Sequence, residues 1–196
     1  MKNFLFISMV ALSVLVSGGC KKKNADPCEG KTCLNGGACN DGTCSCPLGY
    51  TGEDCGTQIT PTKITITGVR VTKFSALNGN DKWDKLLPLP ADKNADIYAV
   101  IKTVVGGTEI YKTSTIDEAD QQTYTFPNPQ QRDVTNLIQD YNIELLDEDS
   151  GLEQGDDSMG NFNFKIYTET NKFPTKLVVA NTAGTLEFEL SLSYTY

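Results

Sequence analysis

The chain of 196 residues has no histidine, and that absence removes more chemistry than any other. Neither a Ser-His nor a Cys-His nucleophile pair can be assembled. No Gly-rich phosphate loop occurs either, since Asn35-Gly36-Gly37 lies inside a cysteine cluster. The one long apolar run, Phe4 to Val16, is about thirteen residues, too short to cross a bilayer. Positive charge is scarce: the formal net charge is −8, which argues against binding nucleic acid or an anionic surface by general electrostatics. No internal repeat or low-complexity tract is present. Cysteine disappears altogether after Cys55, so whatever follows must fold on its own core.

The cysteines that are present organise the chain. Six of the seven fall between Cys28 and Cys55, a segment too short to bury a core of its own. They read as a disulfide framework of three bridges, each contributing roughly 2–4 kcal/mol, which places the protein in an oxidising compartment. Spacing alone leaves fifteen pairings of six cysteines. Asp41-Gly42 is a favoured two-residue hairpin turn that sets Cys39 opposite Cys44. Those two either join each other or both reach back to the segment from Cys28 to Cys33. The spacing, the Asn35-Gly36-Gly37 turn and the ending Cys46-Pro47-Leu48-Gly49-Tyr50-Thr51-Gly52-Glu53-Asp54-Cys55 resemble the epidermal-growth-factor-like module. That resemblance implies the pairs Cys28–Cys39, Cys33–Cys44 and Cys46–Cys55. Pro27 stands where the module's calcium-binding subtype has an acid or amide, so the expectation is a spacer or interaction module without calcium.

At the N-terminus, Lys2 precedes the apolar run, and Ser17-Gly18-Gly19 leads into Cys20. The run fits a secretory signal, and a cysteine directly after small residues resembles the bacterial lipoprotein signal, which implies a lipid on Cys20 as the membrane partner. Residues 1–19 are then the signal peptide and 20–27 a lipidated tether. Loss of Lys2 moves the net charge from −8 to −9. Lys21, in the position after the lipidated cysteine, directs the expectation to the outer membrane or cell surface of a bacterial envelope.

After the module at 28–55 and a linker at 56–62, residues 63–196 carry a strand-rich pattern. Ile64 and Ile66 alternate, and Val69 and Val71 alternate one residue out of phase, so a bulge at Gly68 is expected to return both pairs to one face. Strands are also expected over Ile97 to Val105, Glu109 to Thr113, Thr123 to Phe126, Ile143 to Leu146, Phe162 to Tyr167 and Leu177 to Val179. In the last strand Leu186, Phe188, Leu190, Leu192, Tyr194 and Tyr196 share a face. Val134, Leu137, Ile138 and Tyr141 recur at helical spacing and predict one short helix. About eight strands predict an antiparallel β-sandwich, making the whole chain mainly β.

One constellation carries candidate chemistry. Asp147, Glu148, Asp149, Glu153, Asp156 and Asp157 crowd eleven residues without a Lys or Arg. Two carboxylates about 4 Å apart repel by roughly 4 kcal/mol at an effective dielectric near 20, so such a loop either splays into water or holds a cation. The run Tyr141 to Asp149, followed by Gly155-Asp156-Asp157-Ser158-Met159-Gly160, is similar to the calcium-site strand and loop of the C2-type calcium- and lipid-binding family. Asp96-Ile97-Tyr98 resembles that family's Asp-Pro-Tyr, with Ile97 in place of proline, and Glu109 to Thr113 its next strand. The first-loop aspartate falls between Asn78 and Lys85, where Asp84 after Trp83 is the choice and Asp81 the alternate. The resemblance implies a C2-like sandwich with a Ca2+ site formed by Asp84, Asp96, Asp147, Asp149 and Asp157, an oxygen-only set of the kind calcium takes. The expected function is a non-catalytic, lipid-anchored envelope protein for binding or adhesion, with a structural Ca2+ and an unidentified protein or glycan partner. The alternatives are a purely structural lipoprotein with no ion and, more remotely, a carboxylate-dependent hydrolase.

Overall fold

The computed structural model describes residues 25–84, 94–120, 123–127, 129–149 and 155–196. The signal, Cys20, the start of the tether and Glu153 lie outside the described residues. Within the cysteine-rich segment, β1 (Ala38–Asn40) and β2 (Thr43–Ser45) pair antiparallel around Asp41-Gly42, with Cys39 opposite Cys44. Both turn residues have positive φ, 46° and 82°, which Asp tolerates and Gly adopts freely. The facing cysteines do not join each other. Disulfides connect Cys28 to Cys39, Cys33 to Cys44 and Cys46 to Cys55, so both ribbon cysteines reach back to the preceding segment. Next, β3 (Tyr50–Thr51) pairs with β4 (Thr57–Gln58), so part of the expected linker folds back onto the cysteine-rich unit.

The rest of the described chain is an antiparallel β-sandwich. One sheet runs from β5 (Lys63–Lys73), with β9 (Tyr124–Thr125) and β10 (Arg132–Val134) on one side and β14 (Glu187–Thr195) then β13 (Lys176–Ala180) on the other. The second sheet runs from β6 (Ala95–Thr103), with β7 (Glu109–Lys112) and β8 (Ile116–Ala119) on one side and β11 (Tyr141–Asp147) then β12 (Asp157–Phe164) on the other. Period-two alternation explains the packing: β11 buries every second residue, and Phe188, Leu190 and Leu192 of β14 point into the same core. The register of β5 on β14 slips by one residue at Thr67-Gly68, and Ile64, Ile66, Val69 and Val71 are all buried as a result.

The expected helix does not form. Val134 lies in β10 opposite Ile64, and Tyr141 opens β11. Between them Leu137 is buried but Ile138 is 85% exposed, so the four apolar residues do not share a face. About two helical turns are too short to stand without packing. The residues instead extend the edge of β5, and the Tyr141 hydroxyl closes the connection by donating to Asn136 O at 2.6 Å.

The cysteine-rich unit docks on one end of the sandwich. Phe173, at φ 53°, packs edge-on against Tyr50, Tyr194 and Tyr196 at centroid distances of 5.4, 5.4 and 5.2 Å, and stacks with Tyr167 at 6.4 Å. Gln58 Nε2 donates to the Tyr167 hydroxyl at 3.2 Å, and Lys172 N donates to Gln58 Oε1 at 3.2 Å. A Cβ on Gly49 would stand 2.7 Å from Tyr196 Cζ and 2.8 Å from Phe173 Cε2. Only glycine permits that approach, and φ there is 91°.

Candidate metal centre

The docked end holds the start of β5 and the finish of β14. The finish of β5, the start of β6, the finish of β11 and the start of β12 therefore meet at the other end, about 30 Å away by strand length. That far end collects the acidic residues. Trp83, packed against the core, donates from Nε1 to Ser75 O at 3.1 Å and pins the loop after β5, which carries Asp84. Asp147 ends β11, and Asp149 follows two residues later. One carboxylate oxygen from each of Asp84, Asp147 and Asp149 lies within 4.8 Å of the others.

Asp147 is the centre of the group. Its side chain is fully buried; Oδ1 accepts from Asp96 N at 2.7 Å, while Oδ2 has no hydrogen-bond partner among the described residues. Burial pushes its carboxyl up from 3.8 to about 6. The hydrogen bond from the Asp96 backbone opposes the rise, and the negative charges of Asp84, Asp96 and Asp157 add to it. A buried carboxylate oxygen without a donor is costly, and a cation in contact with it would remove both the missing partner and the mutual repulsion. Hence the donor set fits a hard, oxygen-seeking ion.

The five expected ligands do not converge alike. Asp84, Asp147 and Asp149 come together. Asp96 supplies its backbone to the site, its N–H to Asp147 and its carbonyl to Glu148 N at 2.7 Å, while its Oδ1 accepts from Glu118 N at 2.7 Å. Asp157 is exposed and sits opposite Asp147 in the β11–β12 register. The alternate Asp81 is exposed, its backbone exchanging hydrogen bonds with Asn78. Neighbouring acids are sorted to other tasks: Glu148 accepts from the Thr115 hydroxyl at 2.7 Å, and Asp156 accepts from the Tyr98 hydroxyl at 2.5 Å. Asp147 is the last residue of β11, and Glu148 and Asp149 follow it outside the strand. The role of Tyr98 depends on the loop folding back over β6, for which the sequence offers no local sign.

No model of a known family matches the chain. A stretch of 67 residues is 36% identical to the human (Homo sapiens) hepatocyte growth factor activator serine protease; it covers 31% of this chain and only 9% of that protein. In structure the chain is similar to a solved C2 domain at a TM-score of 0.41 and 16% identity, covering 67% of this chain and 97% of that one. It is also similar to a solved pair of C2 domains from extended-synaptotagmin 2 at a TM-score of 0.47 and 16% identity, covering 76% of this chain and 47% of that one. The antiparallel β-sandwich itself is read from the strand pairing.

Proposed function

We propose that this is a non-catalytic, lipid-anchored protein of the bacterial cell envelope that presents a calcium-stabilised β-sandwich on an epidermal-growth-factor-like spacer. The carrying observation is the buried Asp147 carboxylate, whose Oδ2 lacks a partner among the described residues and lies beside Asp84 and Asp149. Those three residues would hold the ion, with Asp96 and Asp157 adjacent. Ca2+ would supply the positive charge that lets three carboxylates share one end of the sandwich. Extracellular calcium modules work at about 10⁻⁴–10⁻³ M, so a weak site outside the cell stays filled and its ion is structural. Support for the anchor comes from the Phe4 to Val16 run and the Gly18-Gly19-Cys20 junction. Lys21, Lys22 and Lys23 after that junction can rest on anionic headgroups at roughly 1 kcal/mol each. The cysteine spacing and the observed disulfide pairs support the spacer assignment. With the unit docked at one pole, the acidic site lies at the opposite pole, where it would be available to a protein or glycan partner.

Mass spectrometry of the mature N-terminus tests the anchor. The expected species begins at a lipid-modified Cys20, and Cys20→Ser leaves the protein unprocessed or releases it from membranes. A mature chain beginning elsewhere, or an unmodified Cys20, would reject the lipoprotein assignment while leaving the metal centre to be tested separately.

A further inference from the structure

The outer face of the second sheet carries residues that strand formation does not explain. Register places Lys102, Asn142 and Asn163 in one row across β6, β11 and β12, and Val100, Glu144 and Asn161 in the next. Asparagine is depleted in strands, where β-branched and aromatic residues pack better, yet three occupy adjacent positions here. Protection of an open sheet edge is one common use of polar residues. It accounts for Asn161 and Asn163 on the edge strand β12 but not for Asn142, which lies on the inner strand β11.

The three amides hold one another in place. Asn142 Nδ2 donates to Asn163 Oδ1 at 2.9 Å and to Asn161 Oδ1 at 3.3 Å. That fork engages the two acceptor oxygens, while the amide groups of Asn161 and Asn163, with Asn142 Oδ1, make no hydrogen bond among the described residues and face a ligand. The charges beside them cancel, because Lys102 Nζ meets Glu144 Oε2 at 3.1 Å. Glu144 Oε1 also accepts from the Ser158 hydroxyl at 2.8 Å. The hairpin after β6 adds one apolar side chain beside this floor: Val104, 43% exposed, lines the depression together with Thr103 and Gly107. The depression so formed holds about 300 Å³.

We propose that this depression is a binding site for a neutral glycan, distinct from the acidic pole and independent of its ion. A pyranose ring presents hydroxyls that each donate and accept, together with an apolar C–H face. Those features match fixed amide donors, an amide acceptor and the apolar side chain of Val104. The Lys102–Glu144 pair leaves the floor without net charge, so neither an anionic nor a cationic ligand finds an unpaired opposite charge there. An extended peptide gains its affinity from backbone pairing at a sheet edge, whereas this face offers side chains only.

The test uses the full, disulfide-bonded chain labelled with ¹⁵N and titrated to millimolar concentration with cellohexaose, mannohexaose and xylohexaose. An acidic galacturonate oligomer and a neutral extended peptide serve as contrasting arms. At least one neutral hexaose shifts the side-chain amide signals of Asn142, Asn161 and Asn163, equally in calcium and in chelator. The Asn161→Ala/Asn163→Ala protein weakens binding about tenfold, as expected for two lost hydrogen bonds, with its near-UV circular dichroism and calcium response unchanged. No shift with any neutral hexaose overturns the proposal, as does binding retained in the double variant or a response confined to the acidic oligomer or the peptide.

Discussion

Gly49→Ala tests whether the cysteine-rich unit and the sandwich behave as one body. The new methyl would be forced into the rings of Tyr196 and Phe173, an overpacking that costs about 1–3 kcal/mol. An L-residue held at φ 91° adds about 1–3 kcal/mol. Against this stand the contacts that cross the joint: the Tyr50–Phe173 ring pair, at about 0.5–1.5 kcal/mol beyond its area, and the hydrogen bonds of Gln58 with Tyr167 and Lys172, at about 0.5–1.5 kcal/mol each. The two totals are of similar size, so the substitution opens the joint in a large fraction of molecules. Amide ¹⁵N relaxation should then show the cysteine-rich unit tumbling faster than the sandwich, and small-angle scattering a longer maximum dimension. Adding Tyr196→Ala removes part of the clash and restores docking in part, since the φ strain remains. Should the Gly49→Ala protein tumble as a single body with an unchanged melting curve, the joint does not hold the two units together.

Further expectations concern burial and charge. Asp147 binds its proton more tightly in the folded chain than in the unfolded one, its carboxyl being raised from 3.8 to about 6. Metal-free stability should therefore fall as pH rises from about 4 through 6, by roughly 3 kcal/mol at pH 7. Saturating Ca2+ should flatten that slope, and Asp147→Asn should remove it while stabilising the metal-free protein at pH 7; urea unfolding at several pH values reads both. Burial, then the hydrogen bond to Asp156 and the surrounding acids, raises the Tyr98 phenol above 10. Its ultraviolet titration should be missing from the ordinary tyrosine range and should appear there once Tyr98 is exposed by denaturant. Tyr98→Phe should cost about 1–3 kcal/mol through the loss of a charge-assisted bond, measured by chemical denaturation. Reductant should lower the stability of the sandwich as well as unfold the cysteine-rich unit, because Cys46–Cys55 closes the loop that presents Gly49 and Tyr50 to Phe173.

Much of the fold was legible because it follows from local period. The alternation along β14 and the phase slip around Gly68 each specify a face; the structure buries Leu186, Phe188, Leu190 and Leu192 with the four residues of β5 and leaves Tyr194 and Tyr196 partly exposed. The segment from Val134 to Tyr141 misled for a physical reason: helical spacing states which residues are apolar, but Val134 belongs to a sheet edge whose partner lies seventy residues away at Ile64. The short strands β8 and β10 have no pattern of their own and exist because longer neighbours supply an edge. In the acidic site, Asp84, Asp147 and Asp149 were legible through the resemblance of their motifs to the C2-type family. The duty of the Asp96 carboxyl toward Glu118 was not, since it depends on β8 lying beside β6. Equally, nothing near Phe173 or Tyr196 in sequence points to Gly49; their contact exists only once both ends of the sandwich are built.

Whether Asp84, Asp147 and Asp149 hold a calcium ion is decided by thermal unfolding of the intact, disulfide-bonded chain in Ca2+ and in chelator. At ten times its dissociation constant, Ca2+ should stabilise the protein by about 1.4 kcal/mol, a rise of a few degrees in Tm for a domain of this size. Mg2+ should do less, because it demands tight octahedral geometry and releases water reluctantly. Asp147→Asn with Asp149→Asn should abolish the calcium shift. Superimposable curves in calcium and chelator would contradict the claim, and a calcium shift that survives the double substitution would place the ion elsewhere.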